Sequence, residues 1–296
     1  MMDAGTPYTA CRNAIPQRFG FLDEVRPACP RRPNPHIGAQ RRYCLPVTTP
    51  EPALPLLESS ERLSRVYEHA RRVLPREPGH DLQHALRVAR WSVRLHETAG
   101  EHEACVAAAL LHDWQCFPKD HPDRARSSEH SARLAQDWLL ADGWDAASAR
   151  CIAEAIRTHS FSRGEPPHTE LGRALQDADR LEALGALGVM RTVATGVGMG
   201  AGFFDEQDPW ARNRPWDDRR YTLDHFFVKL LRLPETFHTI RGKAEAQRRV
   251  ALMLRFVESL GMELGQPMPL ELRAQFPLTE RPANDLEPDD GATTRP

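Results

Sequence analysis

Apolar residues recur with helical spacing through the middle of the chain. In the segment 56–74, Leu63, Val66 and Tyr67 share one face, and Ser59 or Ser60 stands where a helix N-cap is expected. The same periodicity predicts helices at 80–95, 103–112, 127–141, 145–158, 170–187, 223–231 and 243–260. No run of alternating apolar and polar residues indicates a strand. The pattern therefore predicts an all-α protein rather than an α/β fold.

The two ends of the chain differ from this middle part. Residues 1–55 contain ten of the 25 prolines, and the first fifty residues carry seven arginines against three acidic residues. Such a segment cannot bury enough apolar surface to offset the entropy of ordering, so we predict disorder. The arginines are compatible with a transit peptide, whereas the prolines argue against the amphipathic helix that such a peptide forms. The alternative is that the start site has been assigned too far upstream. We also predict a flexible tail at 266–296, which leaves one domain at 56–265.

Composition narrows the class of partner and the compartment. The formal net charge of -2 at pH 7 gives no sign of a nucleic-acid or membrane partner. The six cysteines form no C-x-x-C pair, which favours reduced thiols over a disulfide framework. The longest apolar run, near 106–111, is far shorter than the ~18 residues of a membrane span. We therefore expect a soluble, cytoplasmic protein.

Four side chains of the kind that bind metals stand in or beside predicted helices. His84 lies in the opening of one helix, the pair His112-Asp113 follows an Ala- and Leu-rich run, and Asp179 lies within 175–181, which is otherwise predicted to be a core helix. A carboxylate in such a position is costly unless it is paired or holds a metal. Two imidazoles and two carboxylates can fill most of the coordination sphere of a divalent ion and leave room for water and substrate.

Residue chemistry alone leaves two of these positions open. His80 lies one turn before His84, and that spacing could hold one ion between both rings. Asp177 competes with Asp179, and either carboxylate could instead interact with a helix dipole.

The four residues and their flanking motifs resemble the HD-domain metal-dependent phosphohydrolases, and within them the bacterial YedJ/YpgQ-like branch. The resemblance covers roughly residues 60 to 263. It is carried by His80-Asp81-x-x-His84-x-x-Arg87-Val88, Leu110-Leu111-His112-Asp113, His159-Ser160-Phe161-Ser162, Gln176-Asp177-Ala178-Asp179-Arg180-Leu181-Glu182-Ala183-Leu184-Gly185 and Asp224-His225-Phe226-x-x-Lys229-Leu230-Leu231.

This resemblance implies an HD-domain helical bundle with one divalent ion. Its ligands would be His84, His112, Asp113 and Asp179, with the His112-Asp113 pair at the catalytic centre. Asp81 and Asp177 would then be outer partners of the ligands. Mn²⁺ or Mg²⁺ is expected, although Fe²⁺, Co²⁺, Ni²⁺ or Zn²⁺ would also accept these donors. Alarmone hydrolases of the superfamily carry a Glu-Asp pair shortly after the HD motif, where this chain has Gln115-Cys116-Phe117.

The resemblance also implies a phosphate ester or anhydride as substrate, in particular a nucleotide. Lys119 follows the HD pair in a turn-like loop and is predicted to assist catalysis by contacting phosphoryl oxygens, although a loop lysine is usually just solvated. Further substrate contacts are predicted at His80, Arg87, His159, Arg180, His225 and Lys229. The alternative function is a regulatory module that binds a nucleotide or a metal without turnover.

The string Gly196-x-Gly198-x-Gly200-x-Gly202 has the look of a dinucleotide-binding loop. It follows a predicted helix and lacks the preceding strand that such a site requires. We therefore predict a flexible connection that could serve as a lid, and no dinucleotide site.

Overall fold

The computed structural model describes residues 53–77, 79–98, 100–117, 121–160 and 164–277. This part of the chain contains the α-helices α1 Ala53–Ser59, α2 Glu61–Val73, α3 Leu82–Leu95, α4 His102–Leu111, α5 Ser127–Ala141, α6 Ala146–Thr158, α7 Glu170–Leu181, α8 Gly185–Gly198, α9 Thr222–Val228, α10 Ile240–Glu263 and α11 Leu270–Arg273. Two 3₁₀ helices lie at Arg124–Arg126 and Leu230–Thr236. The described residues form no β-strand, and a β-bridge joins Gly202 to Tyr221. The prediction of an all-α protein is confirmed.

Helix α4 runs through the centre of the domain. All seven residues from Cys105 to Leu111 are buried, because α2, α3, α6 and α7 pack around the helix. A helix that is apolar on every side is stable only when it is enclosed in this way. The enclosure places the residues that follow Leu111 in the interior of the protein.

Side-chain caps fix where the helices around α4 begin. The hydroxyl of Ser60 accepts a hydrogen bond from the Leu63 amide and caps α2, which resolves the choice between Ser59 and Ser60. Asp81 caps α3 by accepting from the amide of His84 at 2.8 Å. Each cap satisfies an amide that has no partner within its own helix. The cap on α3 therefore holds the turn that carries His84.

Several helix boundaries differ from the sequence prediction, and the helix predicted at 56–74 is divided into α1 and α2. The helix predicted at 170–187 is two helices, because the chain turns at Gly185, whose φ of 75° suits glycine. Past Val228 the chain continues as a 3₁₀ helix that includes Pro234. The glycine string is not wholly a connection, since Gly196 and Gly198 belong to α8. A Cβ on Gly196 would lie 2.2 Å from Oγ1 of Thr222, so this helix end packs closely on α9.

The packed domain continues beyond residue 265, where the flexible tail was predicted to begin. Leu272 and Phe276 are buried, and Nε of Arg273 donates to Glu258 on α10 at 2.5 Å. Because this region is rich in proline and acidic residues, its composition gave no sign that Leu272 and Phe276 would be buried. Residues 1–52 and 278–296, to which most of both predicted tails belong, lie outside the described residues. No helix in the described part is long and apolar enough to span a membrane.

Candidate metal centre

His112 ends α4 with its imidazole fully buried. Its Nδ1 lies 2.7 Å from the carbonyl oxygen of Ala109, one turn earlier in the same helix. A carbonyl can only accept, so Nδ1 carries the hydrogen and Nε2 presents a lone pair on the opposite side of the ring. Asp113 follows as the helix ends, and its Oδ2 lies 3.2 Å from Nε2 of His112.

The structure brings the four sequence-predicted ligands together from α3, the end of α4 and α7. Nε2 of His84 lies 3.3 Å from Nε2 of His112 and 3.5 Å from Oδ2 of Asp113. The Oδ1 atom of Asp179 lies 3.4 Å from Nε2 of His84 and 4.0 Å from Nε2 of His112. Ligands bound at about 2.0–2.3 Å from one ion are separated by about this much. His84, His112 and Asp113 form a group able to hold a metal ion.

His159 adds a third imidazole at the edge of this cluster. It follows α6, and its Nδ1 lies 2.6 Å from the carbonyl oxygen of Ile156, so its Nε2 also points away from its own helix. That Nε2 lies 3.7 Å from Oδ1 of Asp113, and the ring packs edge-on against His112 at 4.9 Å between centroids. The structure therefore places His159 beside the oxygen of Asp113 that does not face His84.

Two charged groups to which the sequence analysis gave no role lie beside Nδ1 of His84, on the side of the ring away from the cluster. Oε2 of Glu182 is 3.4 Å from Nδ1 of His84, and Nη1 of Arg191 is 3.2 Å from the same atom. Glu182 was detectable, because it lies three residues after Asp179 and so faces the same side of the helix end. Arg191 was not, since its position depends on the turn at Gly185 that joins α7 to α8.

The charges of the cluster perturb one another strongly. Burial alone would raise the pKa values of Asp113 and Asp179, but the neighbouring imidazoles hold the pKa of Asp113 well below its usual range and also lower that of Asp179. Burial would lower the pKa of His84, whereas contacts with Asp113, Asp179 and Glu182 raise it well above its ordinary value. The carboxylates are therefore ionised, and the cluster has a strong affinity for positive charge, whether protons or a metal ion.

His80 and Asp81 lie at the start of α3. The ring of His80 is half-buried, with its centroid 6.2 Å from that of His84, and burial lowers its pKa. Its Nδ1 atom is buried and has no hydrogen-bond partner in the described structure. Asp81 contacts the backbone of His84 and not its ring. Asp81 therefore acts on the cluster through the position of the helix.

Asp177 and Arg180 are close to Asp179 in sequence, and both contact the segment at residues 236–239. Asp177 accepts hydrogen bonds from the backbone amides of His238 and Thr239, near the start of α10. The guanidinium of Arg180 is buried and donates to Gln176 and to the carbonyl of Thr236. Successive helix residues diverge by about 100°, so Asp177 and Asp179 lie on opposite sides of α7. These contacts do not support the outer-partner prediction for Asp177 or the substrate prediction for Arg180.

Three other residues that were predicted to contact substrate either pair with another side chain or are exposed elsewhere. Nε of Arg87 donates to Glu182 at 2.7 Å, so Arg87 approaches the cluster through that carboxylate. His225 pairs with Asp218 at 2.9 Å, and Lys229 is exposed at the end of α9. The contacts of the described residues do not bring His225 or Lys229 to the cluster. Lys119 lies outside the described residues.

Comparison with known proteins agrees with this arrangement. A model of the HD domain matches residues 81–184, the stretch that carries all four converging side chains. The protein YpgQ of Bacillus subtilis is 34% identical over 193 residues, which are 63% of this chain and 85% of that protein. The chain belongs to the HD-domain family. Within that family it belongs with YpgQ, as its motifs had indicated.

Solved structures of HD-domain proteins share the fold. The crystal structure of Bacillus subtilis YpgQ in complex with ADP is 27% identical, with a TM-score of 0.53, and covers 68% of this chain and 94% of that one. An HD-superfamily hydrolase from Bacillus thuringiensis is 28% identical, with a TM-score of 0.55, and covers 69% of this chain and 97% of that one. This HD-domain chain therefore has the hydrolase fold of the superfamily.

Proposed function

We propose that this HD-domain protein is a divalent-metal-dependent phosphohydrolase whose ion is held by His84, His112, Asp113 and Asp179. The Nε2 atoms of His84 and His112 each lie within 4.0 Å of a carboxylate oxygen of Asp113 and of Asp179, and this convergence carries the proposal. HD domains bind divalent metals, and the donors here fit such an ion. His112 uses its Nδ1 on a backbone carbonyl, which leaves the Nε2 lone pair free for coordination.

The carboxylate side of the cluster is where we propose that substrate enters. The side chains of Asp113 and Asp179 are 14% and 31% exposed, whereas those of His84 and His112 are 1% and 0% exposed. When bound, a divalent ion lowers the pKa of a coordinated water and polarises a phosphoryl oxygen, which supplies the nucleophile and the electrophile of hydrolysis.

His159 is the protein group that we propose contacts the substrate on this side. Its Nε2 lies at the Asp113 edge, and its Nδ1–H is held by the Ile156 carbonyl, so the protonated ring would donate from Nε2 to a phosphoryl oxygen. Burial lowers the pKa of His159, but Asp113 and Asp179 raise it above its ordinary value, which favours that form. We retain Lys119, in the loop after Asp113, as a second group that neutralises phosphoryl charge. His80, with its unpartnered buried Nδ1, is a third candidate.

We propose a nucleotide as the substrate class, with Mn²⁺ or Mg²⁺ as the ion. The crystal structure of YpgQ in complex with ADP supports this choice, because that relative shares the fold and 85% of its length aligns with this chain. The mixed nitrogen and oxygen donors also fit Fe²⁺, Co²⁺, Ni²⁺ and Zn²⁺. A metal panel is therefore part of the test.

The test is hydrolysis of a panel of ribo- and deoxyribonucleotides by the purified full chain, with each metal added after chelation. Release of phosphate and of pyrophosphate is measured separately, since the two products report which P–O bond breaks. Asp179→Asn should be inactive, and Asp177→Asn, two residues away on the same helix, should retain activity. Binding of Mn²⁺ and a nucleotide with no turnover across the panel would contradict the enzyme and favour the regulatory module.

A further inference from the structure

Glu182 is a buried carboxylate that lies on the far side of His84 from the ligand cluster. It is 2% exposed, follows the last residue of α7, and places Oε2 3.4 Å from Nδ1 of His84. A carboxylate can accept a hydrogen bond from Nδ1–H but cannot donate one when ionised. Its position therefore bears on which ring nitrogen of His84 carries the hydrogen.

Two arginines hold this carboxylate in place. Nε of Arg87 donates to Oε2 at 2.7 Å, and Nη1 of Arg191 lies 3.8 Å from the same oxygen. A buried carboxylate is costly without such partners. Arg191 also donates to the carbonyl oxygen of Gly79, so its guanidinium is fixed close to His84.

Nδ1 of His84 thus has two possible partners with opposite consequences. If Nδ1–H donates to Glu182, the proton that the ring gives up when an ion binds is the one on Nε2, whose lone pair then faces the cluster. If Nδ1 instead accepts from Arg191, at 3.2 Å, a neutral ring carries its hydrogen on Nε2. That hydrogen would point into the cluster, toward Nε2 of His112 at 3.3 Å, and would block coordination.

We propose that Glu182 is a positioning residue that holds His84 in the metal-binding tautomer, and that Arg87 acts on the centre through Glu182. This inference rests on the proposed metal-dependent function. It gives Arg87 a role other than contact with substrate. Without Glu182, Arg191 is the remaining partner of Nδ1 and favours the tautomer that excludes the ion.

The experiment is calorimetric titration of Mn²⁺ into the metal-free full chain. Glu182→Met should weaken Mn²⁺ binding by about 10–100-fold, the usual scale for loss of an outer partner. Glu182→Gln keeps an acceptor and should lose less affinity. Arg87→Met should lose about tenfold, and adding it to Glu182→Met should cause little further loss because both act through one contact.

The matched control is Glu245→Gln. Glu245 is also buried, at 9% exposed, and is also paired with two arginines, accepting from Arg248 at 2.6 Å and from Arg249 at 2.7 Å, on a helix that does not carry a ligand. This variant should bind Mn²⁺ as the wild type does. Removing Arg191 from the Glu182→Met variant, by Arg191→Met, should restore part of the affinity, a result that a purely structural role of Glu182 does not predict.

The outcomes separate the two proposals. A wild type that binds no Mn²⁺ or other divalent ion refutes the proposed function itself. A wild type that binds Mn²⁺, together with a folded Glu182→Met of equal affinity, refutes the positioning role alone. If Glu182→Met does not fold by circular dichroism, Arg87→Met decides, since its side chain is 34% exposed and its removal spares the core. Wild-type affinity in Arg87→Met would then overturn the inference.

Discussion

Asp177 and Asp179 lie two residues apart on α7, and their carboxylates face different parts of the protein. Asp179 places Oδ1 3.4 Å from Nε2 of His84, within the candidate metal centre. Asp177 places Oδ2 2.7 Å from the amide of Thr239 and 2.8 Å from its hydroxyl, at the start of α10. One helix thus supplies a proposed ligand on one face and, on the other, a carboxylate that accepts from the backbone amides just before α10.

Asp179→Ala should abolish hydrolysis and most Mn²⁺ affinity. The substitution removes a negatively charged donor from a centre with four proposed protein ligands, and it leaves the imidazoles without that counter-charge. Elemental analysis of the purified protein and phosphate release on the same sample test this. A variant that retains a full equivalent of metal would show that Asp179 is not a ligand.

Asp177→Ala should lower stability while leaving metal content near that of the wild type. The amides of His238 and Thr239 would lose their acceptor, and an unsatisfied buried donor costs about 1–3 kcal/mol. Thermal or urea unfolding measures the loss. An empty metal site with an unchanged unfolding midpoint would reverse the assignments of the two aspartates.

The helices were largely predictable, because their signals are local. Ser60 and Asp81 act on amides three residues ahead, and the apolar run before His112 can be stable only inside the protein. Such features need no knowledge of the rest of the chain. The choice of Asp179 over Asp177, by contrast, came from resemblance and not from residue chemistry.

Side chains whose direction depends on distant parts of the chain were the hardest to predict. Arg180 is adjacent to Asp179, yet its guanidinium reaches Thr236, 56 residues later. Arg87 was assigned to substrate through the resemblance, and nothing in its own helix shows that Glu182 lies beside it, 95 residues away. Buried apolar residues at 272 and 276 were likewise hidden by the composition around them.

Removal of the metal should destabilise the folded domain. The centre gathers two carboxylates and several imidazoles in a mostly buried space, and an ion that binds only the folded state stabilises it through mass action, by about 2.7 kcal/mol at 100 times its Kd. We expect the unfolding midpoint to fall with a chelator and to recover with Mn²⁺. Asp179→Ala should not respond to either addition. A wild-type midpoint indifferent to chelator and Mn²⁺ would argue against a bound ion.

Gly242→Ala should destabilise the joint between α7 and α10. An added Cβ would lie 2.5 Å from Oγ1 of Thr239 and 2.8 Å from Oδ2 of Asp177, so it must displace the hydroxyl that accepts from the Gly242 amide and donates to Asp177. Overpacking of this kind costs about 1–3 kcal/mol, which urea unfolding can measure. Gly198→Ala is the control, because a Cβ there meets no atom within 4 Å and its φ is not positive. That variant should match the wild type or gain slightly, since alanine favours a helix over glycine by up to about 1 kcal/mol. Equal stability of both variants would show that the joint can relax around the added methyl group.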